Sequence, residues 1–258
     1  MRRNPSPKII LRNQHVVKRI KELKASHPFW GYRRIWAHLK YIDGIPINKK
    51  RVLRLMRVSE LLVKSNMRNK ANRTINTKKP RPVRPNEWWG IDMTKVMIEN
   101  YGWIYIVIVL DWFTKKVLGY YVGDPCKAIH WLDALNMAVN KQFPSGVRGQ
   151  GVQLMNDNGC QPTSIRFMSD CSALGIKQAF TSYNNPKGNA DTERMMRTMK
   201  EELFWLKEWT SPFELGKEFS AWVEYYNSSY LHSALGYKSP EQFEKQYFDS
   251  RKTLLVHA

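Results

Sequence analysis

Cysteine is scarce in this chain, and acid is scarce in its first third. Only three Cys occur in 258 residues: Cys126, Cys160 and Cys171. None pairs at a zinc-like spacing and none lies in the first 125 residues, which argues against a Cys/His zinc knuckle at the front. An odd count fits a reducing cytoplasm better than a disulfide framework. No apolar h-region follows Met1-Arg2-Arg3-Asn4-Pro5, so no secretory signal is expected. The longest apolar run, Trp103 to Leu110, is too short to span a bilayer. There is no internal repeat, and no low-complexity tract beyond one basic, proline-rich stretch.

The shortage of acid is local. Residues 1–86 carry 24 Lys and Arg against 3 Asp and Glu, whereas the remainder carries 18 against 19. The net charge of +20 therefore sits in a basic front joined to a near-neutral body. A front this dense in cations suits a polyanion, DNA or RNA ahead of an anionic membrane. A merely solvated tail would lack the apolar periodicity that runs through much of the segment. With 43% hydrophobic residues and 10 Trp, the chain can bury a sizeable core in one large or two modest domains.

From Asn13 to Ala25, the residues Val16, Val17, Ile20 and Leu23 recur between Lys and Arg, which predicts a short basic amphipathic helix ended by His27-Pro28. A second helix is expected over Gly31 to Lys40 with Ile35, Trp36 and Leu39 inward. After the turn at Asp43-Gly44-Ile45-Pro46, Asn48 caps a third, Lys49 to Met56, with Val52, Leu53, Leu55 and Met56 buried. Helix, turn and short basic helix make a helix-turn-helix candidate over 1–64, with Lys49, Lys50, Arg51 and Arg54 facing nucleic acid; a basic bundle without groove contacts is the alternative. Residues 65–86 read as a linker, too polar to order themselves.

The body, 87–248, alternates differently. Strands are expected at Trp88–Val96, Tyr101–Asp111, Lys116–Val122, Gly151–Asn156 and Lys177–Thr181. Helices are expected at Ala128–Phe143, Ser164–Leu174 (stopped by Gly175) and Asn189–Leu206. A loop spans Ser182 to Gly188, and 249–258 reads as a tail. This order predicts an α/β domain with a mixed sheet.

Three acids stand out. Asp92 lies inside an apolar strand, where an unpaired carboxylate is costly. Asp157 ends a strand before the turn signal Asn158-Gly159. Glu193 opens a helix whose Arg197 and Lys200 share its face, beside a stripe of Met196, Met199, Leu203 and Leu206 expected on the sheet. Taken singly, Asp157 reads as a turn residue and Glu193 as a helix-start acid. Brought together, the three would repel by about 4 kcal/mol per close pair at an effective dielectric of 20. A divalent cation removes that penalty, and oxygen ligands suit Mg2+ or Mn2+. Arg197 and Lys200 would then meet DNA phosphates.

The words around these acids resemble a known family. They are Trp89-Gly90-Ile91-Asp92-Met93-Thr94, Gly102-Trp103-Ile104-Tyr105, Asn156-Asp157-Asn158-Gly159 through Ser164, Asn185-Pro186-Lys187-Gly188-Asn189 through Glu193, and Tyr226-Asn227 with His232 through Pro240. With the gap of 35 residues between Asp157 and Glu193, they resemble the catalytic protein of the insertion-sequence-three bacterial transposases, in the retroviral-integrase superfamily. The front, His27 to Ile35 and Asn48 to Met56, resembles that family's helix-turn-helix segment. The likeness covers about 27–240. It differs at Cys160, Gly188 and Tyr230, where Ser, Asp and a nearby Arg are commoner.

The resemblance implies an RNase H-like core with a five-stranded mixed sheet. It implies that Asp92, Asp157 and Glu193 form a DDE triad binding two Mg2+, replaceable by Mn2+, for strand cleavage at element ends and strand transfer into target DNA. Arg33, Arg34 and Asn189, which lie in the matched blocks, join the candidate DNA contacts. Double-stranded DNA is the expected partner, with a homo-oligomer forming on it. The chain begins without the extra N-terminal region of the family's full transposase, so a partner or fusion from an upstream reading frame is also expected. Its place would be the bacterial cytoplasm, at the nucleoid when bound. Two other readings stay open: a catalytically silent DNA-binding regulator, and an RNase H-like nuclease that cuts without joining.

Overall fold

The computed structural model describes residues 7–63, 80–181 and 188–256. Most of the expected linker (65–79) and of the expected loop (182–187) lies outside them. The chain divides into two compact units, Met1–Arg73 and Thr74–Ala258.

The first unit is helical: α1 (Pro7–Ser26), α2 (Tyr32–Tyr41) and α3 (Lys49–Val58). Val16, Ile20 and Leu23 of α1, Ile35, Ala37 and Leu39 of α2, and Val52 and Met56 of α3 form its buried side. Leu53 and Leu55, expected inward, are only half-buried. The Asn48 side chain accepts from the Lys50 N–H at 2.8 Å and so caps α3. Trp36 Nε1 donates to the Ile47 carbonyl at 2.8 Å, and Arg19 grips Asp43 through two bonds of 2.9 and 3.0 Å, so the α2–α3 turn is held on both sides.

The second unit holds β1 (Trp88–Ile98), β2 (Gly102–Asp111), β3 (Val117–Gly123), α4 (Ala128–Gln142), β4 (Gln153–Asn156), α5 (Ile165–Leu174), β5 (Lys177–Phe180), α6 (Ala190–Met199), a π-helical turn (Lys200–Phe204), α7 (Pro212–Ser229) and α8 (Pro240–Val256). The sheet order is β3-β2-β1-β4-β5. β1, β2 and β3 pair antiparallel, whereas β4 runs parallel to β1 and β5 parallel to β4, giving the expected five-stranded mixed sheet. Both faces are covered. Ile104, Ile106, Ile108 and Leu110 of β2 pack with α6 and α7, and the alternate residues Val107 and Val109 pack with α4 and α5. That is why β2 reads as a continuous apolar run. Gly175 ends α5 with a φ of 72°, and Ser164 caps its start.

Two expectations are corrected. The helix expected to reach Leu206 leaves α-geometry at Lys200, and the wider turn re-aims the side chains beyond it. Leu206 is 42% exposed, and Glu202 and Phe204 are buried instead. Residues 249–256 are not a tail but the end of α8, whose earlier part docks on the β2–β3 turn through Lys116–Glu244 (2.7 Å) and the rings of Phe113, Phe243 and Tyr247.

Candidate active site

Asp92 sits on β1, on the sheet face that α6 covers. β1 and β4 pair in the register Trp88↔Gln153, Trp89↔Leu154, Gly90↔Met155. Carried two residues further, that register sets Asp92 beside Asp157, just past the end of β4. Asp157 is exposed, and its Oδ1 accepts from the Gly159 N–H at 3.0 Å, as a turn-opening Asp does.

Helix α6 reaches this spot because β1 has no side chain at Gly90. A Cβ there would stand 2.0 Å from Thr192 Oγ1 and 2.4 Å from Trp112 Nε1. Thr192 is buried and accepts from Trp112 Nε1 at 3.1 Å. The Asn189 amide donates to the Ile91 carbonyl at 3.5 Å, and the Glu193 N–H bonds the Asn189 carbonyl at 3.0 Å. The first turn of α6, with Glu193 on it, is thereby pinned beside Asp92.

The electrostatics agree with the register. Burial pushes the Asp92 carboxyl up to about 6, against a hydrogen bond from the Met93 N–H that favours the anion. Asp157 and Glu193 push it further up, and Lys200 pulls it down. Asp92 thus lies within electrostatic reach of both other acids. Among the described residues, no three Asp, Glu, His or Cys side chains converge closely enough to hold an ion as they stand. Like-charged carboxylates spread apart unless a cation offsets them.

Known proteins share these features. Models of the integrase core domain match residues 82–186 and 174–240, and a model of an HTH-like domain matches 11–71. Transposase InsD of the insertion element IS2A/D/F/H/I/K of Escherichia coli is 26% identical over 245 residues, 92% of this chain and 78% of its own. The IS2-9 transposase InsD of Escherichia coli K12 is 26% identical over 92% of this chain and 77% of its own. The chain belongs to the DDE transposases of the retroviral-integrase superfamily. A chain of the simian T-cell lymphotropic virus intasome, solved with PP2A regulatory subunit B56 gamma, shares the transposase's fold. The TM-score is 0.54 at 17% identity, over 87% of this chain and 74% of that one.

The transposase's candidate DNA contacts fare unequally. In the helix-turn-helix unit Arg33, Lys50 and Arg54 are exposed. Arg34 lies over the Trp30 ring and Lys49 over the Trp36 ring, 4.2 Å from its centre. Arg51 is turned inward, its guanidinium bonded to Asn13 Oδ1 from α1. In the core, Lys200 lies near enough to Asp92 to favour its anion, and Arg197 is paired with Glu201 at 2.7 Å, one turn along. Asn189 is corrected: it is 4% exposed and turned to β1, so it has no surface for a phosphate. Of the residues where the family pattern differs, Tyr230 is buried and donates to Glu202 at 3.3 Å, which removes it from any DNA face. Gly90, Thr192 and Trp112 escaped the reading of the sequence. Glycine inside an apolar strand was the available signal for Gly90, since it marks close approach of another segment. No helix among the described residues is long and apolar enough to cross a membrane.

Proposed function

We propose that this DNA transposase cuts the strands at the ends of its element and joins them to target DNA, with Asp92, Asp157 and Glu193 as the ligands of two Mg2+ (or Mn2+). The observation that supports the reading is the approach of three stretches of chain: the β1–β4 register runs from Asp92 toward Asp157, Gly90 admits the first turn of α6 that bears Glu193, and Asp92 feels the charge of both other acids. The donor set fits the ion: three hard carboxylates, two of them exposed and able to turn toward the half-buried third. When bound, such ions lower the pKa of an attacking water or 3′-hydroxyl and offset charge on the scissile phosphate.

The chain's own residues do the rest. Asp92 is held rigidly in the sheet and fixes one point of the site. Asp157 and Glu193 close on it from either side. Lys200 adds a cation near Asp92 that a phosphate can share. Cleavage and joining are the same in-line displacement with a different nucleophile, so one site serves both. An element has two ends, which argues for at least two copies working on DNA together, with an upstream-frame partner or fusion supplying end recognition.

The test uses a duplex carrying the inverted repeat that flanks the gene, with Mg2+ or Mn2+. The wild-type chain is expected to nick it and to yield joined products with target DNA. Asp92→Asn, Asp157→Asn and Glu193→Gln should each lose both activities by more than the ~10–100-fold typical of outer-shell changes. Binding that survives with cutting unchanged in the variants would reject the triad. Nicking that never yields joined products would favour a nuclease.

A further inference from the structure

We infer that Asn189 is a positioning residue of the active site: its buried amide ties the first turn of α6 to the Ile91 carbonyl, and so presents Glu193 to Asp92. The inference rests on the proposed role of the triad.

Asn189 stands where a helix cap is expected, and Asn is among the best capping residues. Yet it has a φ of −112° and ψ of 23°, and among the described residues its side chain caps nothing. It is 4% exposed and turned to the strand, with Nδ2 3.5 Å from the Ile91 oxygen. That oxygen is in need of a donor. Trp88 gives its carbonyl to Trp112 on the β2 side and Glu87 gives its carbonyl to Gln153 on the β4 side. By alternation, the Ile91 carbonyl points to the β4 side, one residue beyond Gly90, the last residue of β1 paired with β4. The Asn189 amide takes the place that a longer β4 would fill, and a buried carbonyl left without a donor is costly.

The neighbours make this a rigid seat. Asn189 Oδ1 lies 3.0 Å, and Thr192 Oγ1 2.0 Å, from where a Gly90 Cβ would stand, and Thr192 is held in turn by Trp112. Glu193 lies one turn on, its N–H on the Asn189 carbonyl. The strand residue after Ile91 is Asp92. One side chain therefore links the backbone beside one acid to the helix turn bearing another, as residues behind metal ligands commonly do.

The experiment compares Asn189→Ala, Asn189→Leu, Asp92→Asn and the wild-type chain. Asn189→Leu keeps the branched outline of the side chain and loses the donor, so it decides the question if the cavity left by Asn189→Ala impairs folding. Mn2+ binding is read by electron paramagnetic resonance without DNA, and kcat and KM by nicking of the inverted-repeat duplex. Both Asn189 variants should bind Mn2+ about 10-fold more weakly and lose ~10–100-fold in kcat. Their KM and their metal-free duplex affinity should be unchanged. Wild-type behaviour of Asn189→Leu would overturn the inference, leaving a branched filler as the whole requirement. An Asp92→Asn variant as active as wild type would instead overturn the triad reading beneath it.

Discussion

Asp92 and Asp111 are both buried enough that their carboxyls are pushed up to about 6, yet they stand in opposite situations. Asp111 is wrapped in donors: the Asn86 N–H reaches Oδ1, and the Thr114 N–H and hydroxyl reach Oδ2. Asp92 receives a backbone N–H from Met93 and faces two further acids. A carboxyl whose pKa is higher folded than unfolded binds its proton more tightly in the native state. Its penalty is absent below the unfolded value near 4, grows as pH rises to about 6, and persists above. Metal-free Asp92→Asn should therefore melt several degrees above wild type at pH 7.5, a gain of about 1–3 kcal/mol, and show no gain at pH 4. Mg2+ or Mn2+ should raise the wild-type Tm and leave the variant's unmoved. Asp111→Asn should do the reverse, costing about 1–3 kcal/mol, because an amide NH2 replaces an oxygen that takes donors. Thermal melts across pH decide both; equal Tm values for wild type and Asp92→Asn at pH 7.5 would refute the first.

Local chemistry fixes the elements, and distant chemistry decides where their side chains point. Asn48 before α3, Ser164 before α5 and Gly175 after it act as their residue types suggest, so those ends were legible in the sequence. Asn48→Ala should cost the helix-turn-helix unit about 1 kcal/mol and lower DNA affinity, measured by melting and by duplex titration. The strands were legible from their apolar runs, and the acids from their spacing and surrounding words. Asn189 was not, because a carbonyl on β1, left open by a short β4, outcompetes its capping role. Arg51 was not, because its partner Asn13 lies 38 residues away. The turn at Lys200–Phe204 was not, because burial of Glu202 against Tyr230 is settled by α7, which periodicity left unassigned. Gly90→Ala tests the packing of α6 directly. The methyl group must displace Thr192 and Trp112, so a loss of about 1–3 kcal/mol is expected, together with impaired cleavage.

On the scale of the molecule, charge and chemistry are segregated. The basic front carries the proposed phosphate contacts, and the near-neutral body carries the acids. Removing residues 1–79 should flatten the dependence of DNA affinity on salt, because each phosphate neutralised contributes about 0.9 to the slope. An unchanged slope would contradict the division. The cut should stop short of Asn86, whose N–H and side chain bond Asp111, Gln142 and Trp89 inside the core. The central claim, that three separate stretches of chain share cations, is tested most directly by Mn2+ anomalous scattering from crystals of the full chain. The account predicts manganese peaks within about 2.0–2.3 Å of carboxylate oxygens from Asp92, Asp157 and Glu193 together. Saturating Mn2+ with no peak among these residues, or peaks bound only elsewhere, would contradict it.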